Sequence, residues 1–397
     1  MATTTDVLKC DPDSITFDDG EPDFDDPDTL SHISIASHRM KWANPVAFPT
    51  ETVYGLGALA LHEGAAAQIF AIKGRPTDNP LIVHVSSLRM LRSVLPADYT
   101  FSRPYDILIR RFWPGPLTLL FPADPAIVPP IITAGHPTVA VRMPAQPVAR
   151  ALIALVAAPL AAPSANSSGK PSPTRAEHVL RDLGGKVGTI LDGGPCAVGV
   201  ESTVLDGLNP DGDLRVLRPG GVTVEDIERV LREEMAPGER VPRVLVHRRD
   251  FEDAAMEAAP TTPGMKYRHY SPATPVTLLH TGPAPPAGVA RIAAADLVAS
   301  LRSQDAANPK KVGLLTPSDS RLLQYAKDVP GIAWYPFPLG ALADPAVTAQ
   351  RLFDGLISLD EQGVDLILVE EISEEREGLA VMNRVRKAAS DALWVEL

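Results

Sequence analysis

Several short stretches of this chain concentrate side chains suited to an anion and an amine together. Phe48-Pro49-Thr50-Glu51-Thr52-Val53-Tyr54-Gly55-Leu56-Gly57 ends a hydrophobic run in a hydroxyl-rich turn and leaves through Gly-x-Gly. Such a turn brings backbone N–H groups, hydroxyls and one carboxylate to one spot. Lys73-Gly74-Arg75-Pro76 sets two cations one residue apart. Read as an extended segment pinned by Pro76, it points both the same way. Arginine offers phosphate a planar fork, and lysine offers a point charge. Asn79 adds an amide, and His84 sits just beyond. The run Ser164 to Thr174, with Asn166 within it, is rich in hydrogen-bond donors. Its Gly169-Lys170 lacks the P-loop spacing and is followed by Pro171.

Thr138, Ala140 and Arg142 fall on one face of a strand. Arg142 ends a strand otherwise made for burial. A buried charge needs a partner, and a substrate carboxylate is the expected one. Ser202, flanked by Glu201 and Thr203, and Arg218-Pro219-Gly220 add hydroxyls and a last cation. No His-x-x-x-His, paired Asp box, Cys cluster or serine nucleophile elbow occurs, so no protein-built metal site is expected. The inventory suits a polyphosphate and a small zwitterion, with catalysis by positioning and charge neutralisation. Each stretch also has a plainer reading: a strand-to-helix turn, a surface basic pair, a flexible Ser/Gly loop. Their recurrence in one chain favours a site.

Positioning these residues requires a sheet. Strands are expected at Val46–Pro49, Leu81–Val85, Leu117–Phe121, Thr138–Val141, Val187–Leu191, Ser202–Leu205 and Leu214–Leu217. Helices are expected at Thr29–Trp42, Ala65–Lys73, Tyr105–Phe112, Gln146–Ala157 and Val224–Arg232. Without strict alternation this reads as a large mixed sheet with flanking helices over residues 29–240. A proline-rich linker follows over 241–275; Val244–Glu257 within it reads as an insertion or a longer approach. From Val276 to the end, strands and helices alternate regularly, which implies a parallel, doubly wound domain over 276–397. Its expected helix at Val289–Arg302 follows the first strand, and no Gly-x-Gly-x-x-Gly marks a dinucleotide site.

The formal charge of −12 is unevenly spread. Residues 1–32 hold ten Asp/Glu against one Lys, which is −9 and leaves −3 for the rest. Residues 1–28 therefore read as a disordered acidic tail. With no Lys/Arg-rich stripe, stable direct nucleic-acid binding is not expected. The two cysteines, Cys10 and Cys196, exclude a disulfide framework and fit a reducing cytoplasm. No apolar run approaches bilayer length.

Taken together, Pro49–Gly57, Lys73-x-Arg75, Asn79-Pro-Leu-Ile-Val-His84, Trp113-Pro-Gly-Pro-Leu-Thr118, Ser164-x-Asn166 and Arg218-Pro-Gly220 resemble the YrdC/Sua5 family of threonylcarbamoyl-AMP synthases. The segments Pro263–Pro272 and Glu377–Arg384 resemble its longer, Sua5 form. The resemblance implies a YrdC-like catalytic domain and a smaller Rossmann-like C-terminal domain. It implies that L-threonine, bicarbonate or CO2, and ATP with Mg2+ give threonylcarbamoyl-AMP and pyrophosphate. Other proteins would then transfer the threonylcarbamoyl group to tRNAs that read ANN codons. It further implies threonine contacts at Thr52, His84, Arg142, Ser164 and Ser202. ATP contacts would fall at Arg75, Asn79, Thr138, Asn166, Thr174, Arg218 and His269, with Lys73 and Arg75 at the phosphates as the catalytic cations. The segment Lys266-Tyr267-Arg268-His269-Tyr270 is expected to act as a lid, with a plain tether to the second domain as the alternative. Two other readings stand beside this one. The first is a non-catalytic RNA- or nucleotide-binding module. The second is a hydrogenase-maturation carbamoyltransferase, for which two cysteines are too few. A mitochondrial pool is compatible with the sequence, although no targeting pattern begins it.

Overall fold

The computed structural model describes residues 4–253, 257, 269–282, 285–302, 309–327 and 329–396. The chain divides into two compact units. One comprises residues 1–168 and 172–267; the other comprises 169–171 and 268–397.

The first unit contains strands β1 (Asp6–Lys9), β2 (Ile15–Asp18), β3 (Glu21–Phe24), β4 (Val46–Phe48), β5 (Gly55–Leu59), β6 (Ile82–His84) and β7 (Leu117–Pro122). These continue with β8 (Thr138–Arg142), β9 (Leu160–Ala161), β10 (Thr189–Asp192), β11 (Thr203–Asp206), β12 (Leu214–Arg218) and β13 (Val244–Val246). Its helices are α1 (Pro27–Lys41), α2 (Glu63–Lys73), α3 (Leu88–Arg92), α4 (Arg103–Phe112), α5 (Pro130–Thr133), α6 (Pro147–Val156), α7 (Ala176–Leu183) and α8 (Val224–Glu234). Eleven strands form one sheet in the order β1-β10-β4-β5-β9-β6-β8-β7-β11-β12-β13. It is mixed, as expected: β6 runs parallel to β8, and β7 antiparallel to it. Helices α1 and α6 cover it with a core of Ile33, Met40, Val148, Leu152 and Phe48.

Two expectations are corrected here. The acidic segment is folded, not disordered: β1 pairs with β10 at the sheet edge, and β2 and β3 form a hairpin. Its acids serve as caps and ion-pair partners. Asp26 accepts from the backbone N–H groups of Asp28 and Thr29 at the start of α1, a contact worth about 1 kcal/mol. Asp6 pairs with Arg39 at 2.7 Å. Ile15, Phe17 and Phe24 meanwhile join the core under α1 and α6. Charge counting missed this because it ignores where each carboxylate points. The linker also begins later than expected, because β13 pairs in parallel with β12 and extends the sheet.

The second unit contains β14 (Val276–His280), β15 (Ile292–Ala293), β16 (Lys310–Thr316), β17 (Ile332–Pro338), β18 (Leu366–Glu370) and β19 (Asp391–Glu396). Its helices are α9 (Ala294–Leu301), α10 (Arg321–Lys327), α11 (Pro345–Glu361) and α12 (Glu377–Ala388). The strand order is β15-β19-β14-β18-β16-β17, and every described pairing is parallel. Helices α9 and α10 pack on Val312, Leu314 and Leu368. Gly355 of α11 meets Leu315 and Phe337, so helices cover both faces. Two details differ from expectation. Ile292 and Ala293 open the expected helix as a short strand, because they pair with Val395 and Glu396. Those partners belong to β19, a closing strand the alternation of types had not revealed. No helix among the described residues is long and apolar enough to cross a membrane.

Candidate active site

In the first unit the predicted residues gather around three buried cations. Arg142 is the last residue of β8 and lies opposite His84 of β6 in register. Its guanidinium donates to Thr52 Oγ1 at 2.8 Å and to Glu51 Oε1 at 2.7 Å. Glu51 also accepts from the Ala145 N–H at 3.1 Å. Arg142 was expected to find its partner in a substrate carboxylate; within the fold Glu51 already neutralises it. Neutralisation is needed because both side chains are about nine-tenths buried or more. Arg142 Nε remains buried without a hydrogen-bond partner among the described residues. Thr50 shapes the turn, with its hydroxyl against Thr52 Oγ1 at 2.8 Å and accepting from the Thr52 and Val53 N–H groups. His84 is buried, and that burial, helped by Arg142, pushes its pKa down to about 3. It is neutral at physiological pH.

Lys73 closes α2. The sequence pattern had placed it on an extended segment beside Arg75. Instead Gly74 turns left-handed at φ 60° and caps the helix, and Arg75 N–H returns to Phe70 O at 3.0 Å. The two cations consequently leave in different directions. Lys73 Nζ donates to the carbonyls of Ser164 and Asn166 and to Asn166 Oδ1. Burial, with Arg75 adding to it, holds its pKa well below the ordinary lysine value. The carboxylates of Asp182 and Glu201 act in the opposite sense and favour the charged form. Arg75 donates to the carbonyls of Asn79 at 3.1 Å and Pro80 at 2.8 Å.

Arg218 ends β12 and donates to Ser202 O at 2.9 Å and Ser202 Oγ at 3.2 Å. Ser202 Oγ also meets Thr118 Oγ1 at 2.7 Å. A glycine is required next to this arginine. A Cβ on Gly220 would lie 2.2–2.4 Å from the backbone of Glu201, Ser202 and Thr203.

Backbone hydrogen bonds lace the clusters together. Tyr54 N–H donates to Pro173 O, Ala165 N–H to Tyr54 O, and Gly199 N–H to Thr52 O. Thr138 Oγ1 and Thr174 Oγ1 are buried with no hydrogen-bond partner among the described residues. With Arg142 Nε they are spare polar atoms in an otherwise satisfied site, which is what a polar ligand needs. Sequence reasoning had given three participants no assigned role. Glu51 and Thr118 lay inside the quoted motifs, next to residues that were chosen. Glu201, whose carboxylate accepts from Ser172 Oγ at 2.6 Å, carried only its proximity to Ser202 as a signal. Of the expected lid, Lys266, Tyr267 and Arg268 lie outside the described residues. His269 belongs to the second unit, where its ring packs on Tyr270 at 5.7 Å.

Residues 39–220 match the Sua5/YciO/YrdC family, described as telomere recombination. Residues 222–390 match the threonylcarbamoyl-AMP synthase C-terminal domain. The threonylcarbamoyl-AMP synthase of Schizosaccharomyces pombe is 44% identical over 369 residues, covering 87% of this chain and 85% of the relative. That of Pyrococcus abyssi is 42% identical, covering 90% and 94%, and that of Bacillus subtilis is 42% identical, covering 87% and 89%. Among solved structures, P. abyssi Sua5 complexed with L-threonine aligns with a TM-score of 0.76 at 38% identity, covering 98% of this chain and 99% of that one.

Proposed function

This chain belongs to the Sua5/YrdC family of threonylcarbamoyl-AMP synthases, and we propose that its first unit carries the family's reaction on the residues gathered above. L-threonine, bicarbonate or CO2, and ATP become threonylcarbamoyl-AMP and pyrophosphate. The product passes to the machinery that installs the threonylcarbamoyl group on tRNA. The observation that carries this reading is the Arg142–Thr52–Glu51 centre, buried beside neutral His84 and keeping Arg142 Nε unspent.

The threonine carboxylate is assigned to the Arg142 end, with Thr52, Ser164 and Ser202 supplying hydroxyls. Near neutral pH the free amine of threonine is mostly protonated. A buried site whose imidazole is already neutral disfavours the ammonium and favours the amine that captures CO2. The carbamate oxygen then attacks the α-phosphate of ATP, and pyrophosphate leaves. Both reacting groups are anionic, so cations must offset their repulsion. Lys73, Arg75 and Arg218 are assigned that role. Asn79, Thr138, Asn166 and Thr174 are assigned to the nucleotide; the unpartnered hydroxyls of Thr138 and Thr174 support this.

Mg2+ is proposed to arrive with ATP. Among the described residues no group of three or more acids, cysteines or histidines gathers to hold an ion. The phosphates and water are therefore its proposed ligands, and it supplies charge neutralisation there. Alignment of bound reactants contributes on the order of 7–11 kcal/mol at best. The free, buried thiols of Cys10 and Cys196 support a reducing compartment, proposed to be the cytoplasm.

Pyrophosphate release from ATP, with Mg2+ and bicarbonate, tests the reading. Release should require L-threonine and fall with L-serine, which lacks one methyl worth about 1–3 kcal/mol. Release that ignores threonine, or none at all, would favour a plain ATPase or a non-catalytic binding module instead.

A further inference from the structure

A cleft of about 600 Å³ opens in the first unit, and none of the residues assigned above lines it. Its floor is buried and largely apolar: Ile109, Trp113 and Met143, with Ser86 beside them. The rim carries charge that is mostly spent. Arg89 pairs with Glu21 at 3.2 Å, and Arg110 with Asp106 and Glu234 at 3.4 Å.

Two donors in this lining remain unmatched. Arg150, on α6, lays its guanidinium over the Phe17 ring at 3.9 Å. Its partly exposed guanidinium makes no hydrogen bond or ion pair among the described residues, and of its nitrogens Nε is buried without a partner. The Ser86 hydroxyl reaches only the Met90 sulfur, at 3.9 Å, a weak acceptor. Buried donors are normally satisfied, and here the fold supplies no good acceptor. The apolar floor disfavours a small, fully hydrated anion, and Asp19 and Glu21 at the mouth oppose a polyanion. The volume is that of a small-molecule site.

We propose that this cleft is a second ligand site, taking an organic monocarboxylate with a flat apolar body. The carboxylate sits on Arg150 and Ser86, and the body lies over Trp113, Ile109 and Met143. Calorimetric titration of benzoate into the full chain tests this, with benzyl alcohol as its neutral counterpart. Benzoate should bind one saturable site at least about tenfold more tightly than benzyl alcohol. Arg150→Gln should remove about that factor, Arg150→Lys should recover part of it, and Ser86→Ala should weaken binding less. Threonine-dependent pyrophosphate release without benzoate should be unchanged in Arg150→Gln, which also shows that this variant is folded. Absence of saturable benzoate binding, or equal affinity in Arg150→Gln and the parent, would overturn the proposal.

Discussion

Strands β8 and β12 of the first unit end on Arg142 and Arg218, whereas β18 of the second ends on Glu370 and runs on into Glu371. Both units surround these charges with hydroxyls. Ser202 and Thr118 attend Arg218; Ser320 and Thr281 donate to Glu370. Glu371 is held by His280 and by the Gly282 N–H. Hydroxyls at strand ends are thus common to both units, and the sign of the charge among them separates the two. The cationic set suits the phosphates and carboxylates of the proposed reaction, and the acidic set opposes them. The parallel topology of the second unit, which in other folds receives nucleotides at strand ends, does not by itself make a phosphate site.

The largest expected effect attacks the cationic side of this contrast. Arg142→Ala leaves Glu51 buried and unpaired, so urea unfolding should show a loss of about 3–5 kcal/mol. Arg142→Lys should not restore activity, because one ammonium cannot span Thr52 and Glu51 as the fork does. Unchanged stability in Arg142→Ala would mean that Glu51 is not held as described. Gly220→Ala comes next. Its methyl cannot avoid the Glu201–Thr203 backbone, and about 1–3 kcal/mol should be lost, together with the placement of Ser202 and Arg218. A wild-type melting curve for that variant would contradict the packing.

His84 sharpens the comparison through pH. Its folded pKa lies near 3, below the unfolded value of about 6.5. Its contribution to stability is therefore fully present above about pH 6.5 and lost as pH falls toward 3. His84→Asn should flatten the pH dependence of unfolding in that window; an identical slope in both proteins would remove the assignment. The smallest effect belongs to the second unit. Burial raises the Glu370 pKa, against the pull of Ser320 and Thr281. The sign is opposite to that of His84. Stability linked to Glu370 is present below its unfolded pKa and declines as pH rises through the folded one. Glu370→Gln should remove that decline, so its urea midpoint at neutral pH should equal or slightly exceed the parent's.

Much of this arrangement was legible in residue types. Lys73, Arg142 and Arg218 end a helix and two strands that hydrophobic patterning locates, and Ser202 directly precedes a third strand, whereas Thr52, Ser164 and Asn166 sit in loops recognised by their residue types alone. What patterning could not supply was pairing. It could not show that Glu51 faces Arg142, that Gly74 redirects Arg75, or that Asp26 caps a helix, since each depends on backbone turns and distant partners. The acidic segment was misread for the same reason; β13 was missed because an edge strand of three residues gains its structure from its neighbour, and β19 because it follows directly on the last helix and pairs on both sides with distant strands.

The most direct test of the account compares Lys73→Met with Glu370→Gln in threonine-dependent pyrophosphate release. Under the proposed function Lys73 faces the negative charge that develops on the phosphates, so its removal should lower kcat by about 10²–10³, while Glu370→Gln should stay within about twofold. An active Lys73→Met enzyme, or a Glu370→Gln enzyme as impaired as Lys73→Met, would contradict the assignment of the chemistry to the first unit.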